Sequence, residues 1–106
     1  MHNKPPKSCQ TMDDVRREID RLDNTLVDLL SDRFAYVRRA AQIKDGPNQA
    51  SVPWRVQQVV DKVRARSEEK NLPPELAELV WRQMIEWFIR YEEETIAPRK
   101  LEKPFN

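Results

Sequence analysis

Four ionisable residues stand where helical periodicity leads the eye to expect something else: Arg33, Lys44, Arg55 and Glu92. An apolar stripe stepping by three and four runs through Val15, Ile19, Leu22, Leu26 and Leu29, and then lands on Arg33, Val37, Ala40 and Lys44. Arg33 and Lys44 are eleven residues apart. On one helix that is about three turns, so they project in nearly the same direction with about 16 Å between their Cα atoms. Long cationic side chains converging from both ends of that gap could clasp an anion of about ten heavy atoms or more. Arg55 follows a helix start, whose free N–H groups are themselves an anion-binding device. Glu92 continues the apolar row Ala77, Trp81, Ile85, Phe88. Together these positions describe a pocket for a small dicarboxylate, enclosed by helices and capped by one acidic group.

Each residue also has a bland account. Arg33 could snorkel from the edge of its stripe, or pair with an acid such as Asp32 of another chain. Lys44 could merely complement a helix C-terminus, and Glu92 opens the run Glu92-Glu93-Glu94, of a kind that usually faces solvent. Arg55 is harder to dismiss, because a cation in a first helical turn opposes the dipole.

The elements that must carry these side chains are helical. Thr11 followed by Asp14 resembles a capping box, and the periodic pattern then runs from Met12 to Lys44 without Gly or Pro. At 1.5 Å per residue such a helix extends close to about 50 Å, whereas a compact chain of this length has a radius of gyration of about 13 Å. A lone globule does not cover that rod, so the expectation is a homodimer in which the helices of two chains pack along each other. A second helix is expected from Pro53 to about Lys70, with Val56, Val59 or Val60, and Val63 inward. The break NLPPE leads to a third, from Pro74 to about Thr95, with two adjacent apolar rows: Leu76, Val80, Met84, Trp87, Tyr91, and beside them Ala77, Trp81, Ile85, Phe88. The fold class is therefore all-α, three helices per chain, long, medium and long. Residues 1–11 read as a flexible leader, 12–97 as the helical domain and 98–106 as a flexible tail. Trp54, Trp81, Trp87, Tyr36 and Tyr91 read as packing residues.

Composition removes several classes. A net charge of +1, with acids and bases interleaved, argues against nucleic acid or anionic membrane as a partner. The single glycine, Gly46, leaves no glycine-rich phosphate loop. One histidine, His2, and one cysteine, Cys9, give no metal site, histidine triad or disulfide. A start without an apolar run, and no segment of membrane-spanning length, point to the cytoplasm.

The ordered segments VRREIDRLDNTLVDLLSDR (15–33), AAQIK (40–44), VPWRV (52–56) and IEWFIRYEEE (85–94) together resemble the all-helical chorismate mutase family, in the branch that includes isochorismate pyruvate lyases. The resemblance implies an intertwined homodimer of three-helix chains. It implies that Arg33 grips one substrate carboxylate, that Lys44 reaches both a carboxylate and the ether oxygen, and that Arg55 lies by the same pocket. Arg16 matches the family arginine that enters the partner subunit's site. It stands seventeen residues from Arg33, about 25 Å along one rod, too far to share a small ligand within a chain. Glu92 falls where the family has Gln or Glu hydrogen-bonded to the ether oxygen. A carboxylate there would repel the charge that develops, so Glu92 would work in its protonated form, which its apolar row favours.

Two departures concern substrate contacts. Many mutases place an acid three residues before the second-helix arginine and another directly after it, where this sequence has Val52 and Val56. Phe88 stands where many have a small hydroxyl residue. The VPWRV form is closer to the lyase-like branch. The implied reaction is the cofactor-free rearrangement of chorismate to prephenate. Cleavage of isochorismate to salicylate and pyruvate is the alternative, and a non-catalytic helical dimer that binds a metabolite or protein partner is the reading from another class.

Overall fold

The structure is a computed structural model that describes residues 3–44 and 52–102, the last six of these by their backbone. It is all-helical, with a 3-10 turn at Pro6–Ser8 followed by three α-helices: α1 (Met12–Ile43), α2 (Pro53–Glu69) and α3 (Pro74–Glu102). No strand occurs among the described residues. The chain divides into two compact units, Met1–Tyr36 and Val37–Asn106, with the division inside α1. Among the described residues no helix is long and apolar enough to cross a membrane.

In the first unit the start of α1 is tied down by side chains. Thr11 Oγ1 accepts the Asp14 N–H at 3.1 Å, the forward half of a capping box. The return half is displaced by one residue, since Asp14 Oδ2 accepts from the Gln10 N–H at 3.0 Å. The same carboxylate takes a hydrogen bond from Lys4 Nζ at 3.2 Å, and the Lys4 N–H donates to Glu18 Oε1 at 3.2 Å. Residues before the helix are thus folded back over its first turns. Further along, the apolar stripe is regular but uncovered: Ile19 is 50% exposed and Leu26 61%.

The second unit holds the buried core. Val60 and Ile96 are fully enclosed, and Ala41, Ala77 and Phe88 are nearly so. Of the two α3 rows, one has Ala77 and Phe88 buried with Trp81 and Ile85 half-buried between them, while Leu76, Val80 and Trp87 of the other are about half exposed. α2 packs on α3, and Glu78 ties them polarly. Its two oxygens take Arg64 Nη1 from α2 at 2.7 Å and Arg82 Nε at 2.6 Å.

Helix ends follow local chemistry. Val52 is extended and lends its carbonyl to the N–H groups of Arg55 and Val56, with Pro53 in the first turn where no N–H is needed. α2 closes in a Schellman motif: Asn71 has φ 57°, Asn71 N–H donates to the Glu68 carbonyl and Leu72 N–H to that of Ser67. α1 and α2 match the expected spans to within a residue. α3 continues past Thr95 and through Pro98 to Glu102. A helical proline forgoes one bond to the carbonyl four residues back, here that of Glu94, without obliging the turns around it to unwind.

Candidate functional site

Lys44 and Glu92, singled out separately in the sequence, meet in the second unit. Lys44 lies just past the end of α1 and its amide still donates to the Ala40 carbonyl at 3.0 Å, so the last turn of the helix fixes its Cα. Its Nζ donates to Glu92 Oε2 at 2.5 Å. The contact spans forty-eight residues of sequence. It is sheltered, with side chains 25% exposed for Lys44 and 8% for Glu92.

The setting of the pair is apolar for a physical reason. Phe88 and Ile96 stand one turn to either side of Glu92 on α3 and both are buried, as is Ala41 one turn before Lys44. A carboxylate taken so far from water is costly unless a cation and hydrogen bonds compensate, and Lys44 supplies both. Among the described residues no buried side-chain oxygen or nitrogen lacks a hydrogen-bond partner. Glu92 is therefore not the solvated acid that a Glu-Glu-Glu run suggests; Glu93 and Glu94, which follow it, are exposed.

The remaining candidates are distributed over both units. Arg55 occupies the first turn of α2, exposed, with its Nη1 donating to Gln58 Oε1 at 2.6 Å. A neutral amide one turn on thus stabilises a cation that the helix dipole disfavours. Val52 is half-buried at the N-cap of α2 and makes no side-chain cap there. Phe88 is buried, edge-on to Trp87 with ring centroids 5.4 Å apart. In the first unit, Arg33 is half-buried on α1. Arg16 is exposed near the helix start, with Nη1 3.7 Å from Asp13 Oδ1. The DGPNQAS stretch, residues 45–51, lies outside the described residues.

The aromatic residues read as packing ones divide, Trp81 and Tyr91 being half-buried and Tyr36, Trp54 and Trp87 exposed. Trp54, directly before Arg55, is 68% exposed. Trp87 and Tyr91 stack on α3 at 5.9 Å and, with Arg90 and Glu94, line an open cavity of about 410 Å³. Its lining includes neither Lys44 nor Glu92. A row of large apolar residues at helical spacing signals burial somewhere, but does not say in which partner.

Chemically, the pair joins a held cation to an acid in one sheltered place. The cation suits an anionic oxygen, and the acid can act as acceptor or, once protonated, as donor. Among the described residues no group of three His, Cys, Asp or Glu side chains is arranged to hold a metal ion.

Two comparisons bear on this arrangement. The family described as chorismate mutase type II matches residues 15–93. An isochorismate pyruvate lyase of Pseudomonas aeruginosa is 31% identical over 86 residues, a stretch covering 81% of this chain and 85% of that protein. The matched span contains Arg16, Arg33, Lys44, Val52, Arg55, Phe88 and Glu92.

Proposed function

This chain belongs to the chorismate mutase type II family, and we propose that it rearranges chorismate to prephenate in a site built around Lys44 and Glu92. The observation that carries the proposal is the Lys44–Glu92 contact, a cation and an acid held together where water is scarce. The rearrangement breaks an ether C–O bond as a C–C bond forms within one molecule, so it needs positioning and charge stabilisation rather than a nucleophile. In this reading Arg33 and Arg55 hold the two carboxylates and fold the enolpyruvyl arm over the ring. Lys44 and protonated Glu92 donate to the ether oxygen as negative charge builds on it. Phe88 and Val52 shape the apolar wall, and no cofactor takes part.

The site is proposed to be completed by a second copy of the chain, with Arg16 supplied in trans. The half-exposed stripe of Ile19, Leu22, Leu26 and Leu29 supports this, because a row so regular and apolar belongs against a partner surface.

A second reading has its own support. The relative named as an isochorismate pyruvate lyase, with Val52 and Val56 at positions where many mutases carry acids, favours cleavage of isochorismate to salicylate and pyruvate in the same pocket. The deciding experiment supplies chorismate and isochorismate separately between about pH 5 and about pH 8 and identifies the products by chromatography. Prephenate from chorismate, formed fastest at the acidic end, is the expected result. Salicylate and pyruvate from isochorismate, with little chorismate turnover, would transfer the assignment to the lyase. Tight binding of a dicarboxylate with neither reaction would make the chain a binding dimer.

A further inference from the structure

We propose that Gln58 is a positioning residue for Arg55: its neutral amide aims the guanidinium without cancelling the charge, and so leaves that cation for a substrate carboxylate. The inference rests on the dicarboxylate reading above and adds to it a residue that acts through another. Its basis is the hydrogen bond from Arg55 Nη1 to Gln58 Oε1 at 2.6 Å, one turn along α2.

The three arginines of α2 make the contrast. Arg64 Nη1 donates to Glu78 Oε1 at 2.7 Å and Arg66 Nη1 to Glu69 Oε2 at 2.8 Å, so each is matched by a carboxylate. Arg66 and Glu69 have the same three-residue spacing as Arg55 and Gln58. At that spacing the helix uses an acid in one place and an amide in the other. Around Arg55 the neutrality is general. The first turn of α2 has no acidic residue, and Val52 and Val56 stand three before and one after the arginine. The first acid of the helix is Asp61, whose Oδ1 accepts from the Gln57 amide at 2.9 Å. Two adjacent glutamines thus take opposite parts: Gln57 offers its NH2 to the acid, and Gln58 offers its oxygen to the cation.

The choice of an amide has a chemical consequence. A guanidinium bonded to a carboxylate is a neutral pair, and an incoming anion must displace or share that carboxylate. A guanidinium bonded to an amide oxygen keeps its full charge and its remaining N–H donors, and the other end of the amide is itself a donor. Orientation is retained as well. With one N–H engaged along the helix, the planar fork is turned in one direction instead of sweeping through its rotamers, which lowers the entropy lost when a carboxylate docks. Held in this way, Arg55 adds to the positive end of α2.

The test compares the full wild-type chain with Gln58→Glu, which swaps the amide for a carboxylate of the same shape, and Gln58→Met, which removes the acceptor without adding charge. At about pH 7.5, where the added carboxyl is ionised, each is assayed on whichever of chorismate and isochorismate the chain converts, and titrated calorimetrically with a non-reactive oxabicyclic dicarboxylate. Gln58→Glu should raise KM and the diacid's Kd about two- to fivefold, the reach of an exposed ion pair. Its kcat should stay within about twofold, because the grip on a carboxylate is common to the ground and transition states. Gln58→Met should fall between. In urea Gln58→Glu should be at least as stable as wild type, since an ion pair at this spacing favours the helix. Binding and stability then move apart, which a merely structural role does not produce. In an Arg55→Ala background Gln58→Glu should lose most of its effect on Kd. Unchanged KM and Kd in Gln58→Glu, an equal effect in Gln58→Met, or a penalty that survives in full without Arg55 would overturn the inference while leaving the dicarboxylate site standing. Neither turnover nor diacid binding in the wild type would overturn both.

Discussion

Among the described residues, only one of the two compact units closes a core over its apolar residues. In Met1–Tyr36 Ile19, Leu22, Leu26 and Leu29 recur every three or four residues and remain about half exposed or more, whereas in Val37–Asn106 Val60 and Ile96 reach zero exposure, with Leu76, Val80 and Trp87 staying about half exposed. Both patterns obey helical spacing, so periodicity alone does not distinguish a core made within the chain from one made with another chain. The second unit closes over its own apolar row and pins two charges inside it. The first offers a finished apolar surface with nothing described upon it, and the proposed second copy is what would cover it.

Truncation tests that contrast most directly. Ile96→Ala should cost about 2 to 5 kcal/mol in folding stability, the range for a large side chain removed from a closed core. If a second copy covers the stripe, Leu26→Ala should cost a similar amount and should also shift the monomer–dimer equilibrium seen in sedimentation velocity. A Leu26→Ala effect within about 0.5 kcal/mol, the ordinary figure for a surface change, would show that the stripe stays wet and would break the comparison.

The next effect concerns the charges that the second unit buries. Lys44→Ala removes a donor from the proposed oxyanion-like site and leaves Glu92 without the cation that stabilises it. Turnover should fall at least about a hundredfold, or about 2.7 kcal/mol in the barrier. Retention of near-wild-type turnover in a steady-state assay would eliminate Lys44 from the mechanism.

A mixing experiment sharpens the claim that the two regions work across chains. Arg16→Ala and Arg33→Ala should each be nearly inactive alone. In a random mixture about half of the dimers are mixed, and each of these has one site with both arginines intact, so activity should recover to about a quarter of wild type. No recovery, with mixed dimers demonstrated by native mass spectrometry, would mean that Arg16 and Arg33 do not meet across the interface.

How far these features could be read in advance depended on how local their causes are. The start of α1 at Met12 and of α2 at Pro53 were legible because Thr11, Asp14 and Pro53 act within one turn. That Glu92 is buried was legible in the row Ala77, Trp81, Ile85, Phe88, even though the acidic run argued for solvent. Its direct contact with Lys44 was not, since nothing in a sequence tells two residues forty-eight apart that they will touch. The hold of Lys4 on Asp14 and Glu18 was equally hidden, because a lysine among prolines looks solvated. The run of α3 through Pro98 escaped because a proline marks where a helix pays a penalty, not where it must stop.

The smallest expected effect compares two acidic clamps, one in each unit. Glu78 lies below its ordinary 4.5 because Arg82 and then Arg64 donate to its oxygens. Asp14 lies below its ordinary 3.8, chiefly through the Gln10 N–H and then Lys4. A carboxyl whose value is lowered by folding favours the folded state fully at pH above its unfolded value, and that contribution disappears as pH falls through the lowered one. Each clamp therefore weakens on acidification, beginning below about 4.5 for Glu78 and about 3.8 for Asp14. Glu78→Gln should lower stability near neutral pH and flatten the loss between about pH 5 and about pH 3 in urea midpoints. Asp14→Asn should flatten only the more acidic end. Because Glu78 joins α2 to α3 whereas Asp14 secures the leader to the first turn of α1, the first variant should also speed amide exchange in the second unit and the second variant only around Gln10 and Asp14. If both variants loosened the same amides, the two regions would share one cooperative transition and the contrast between them would be one of packing alone.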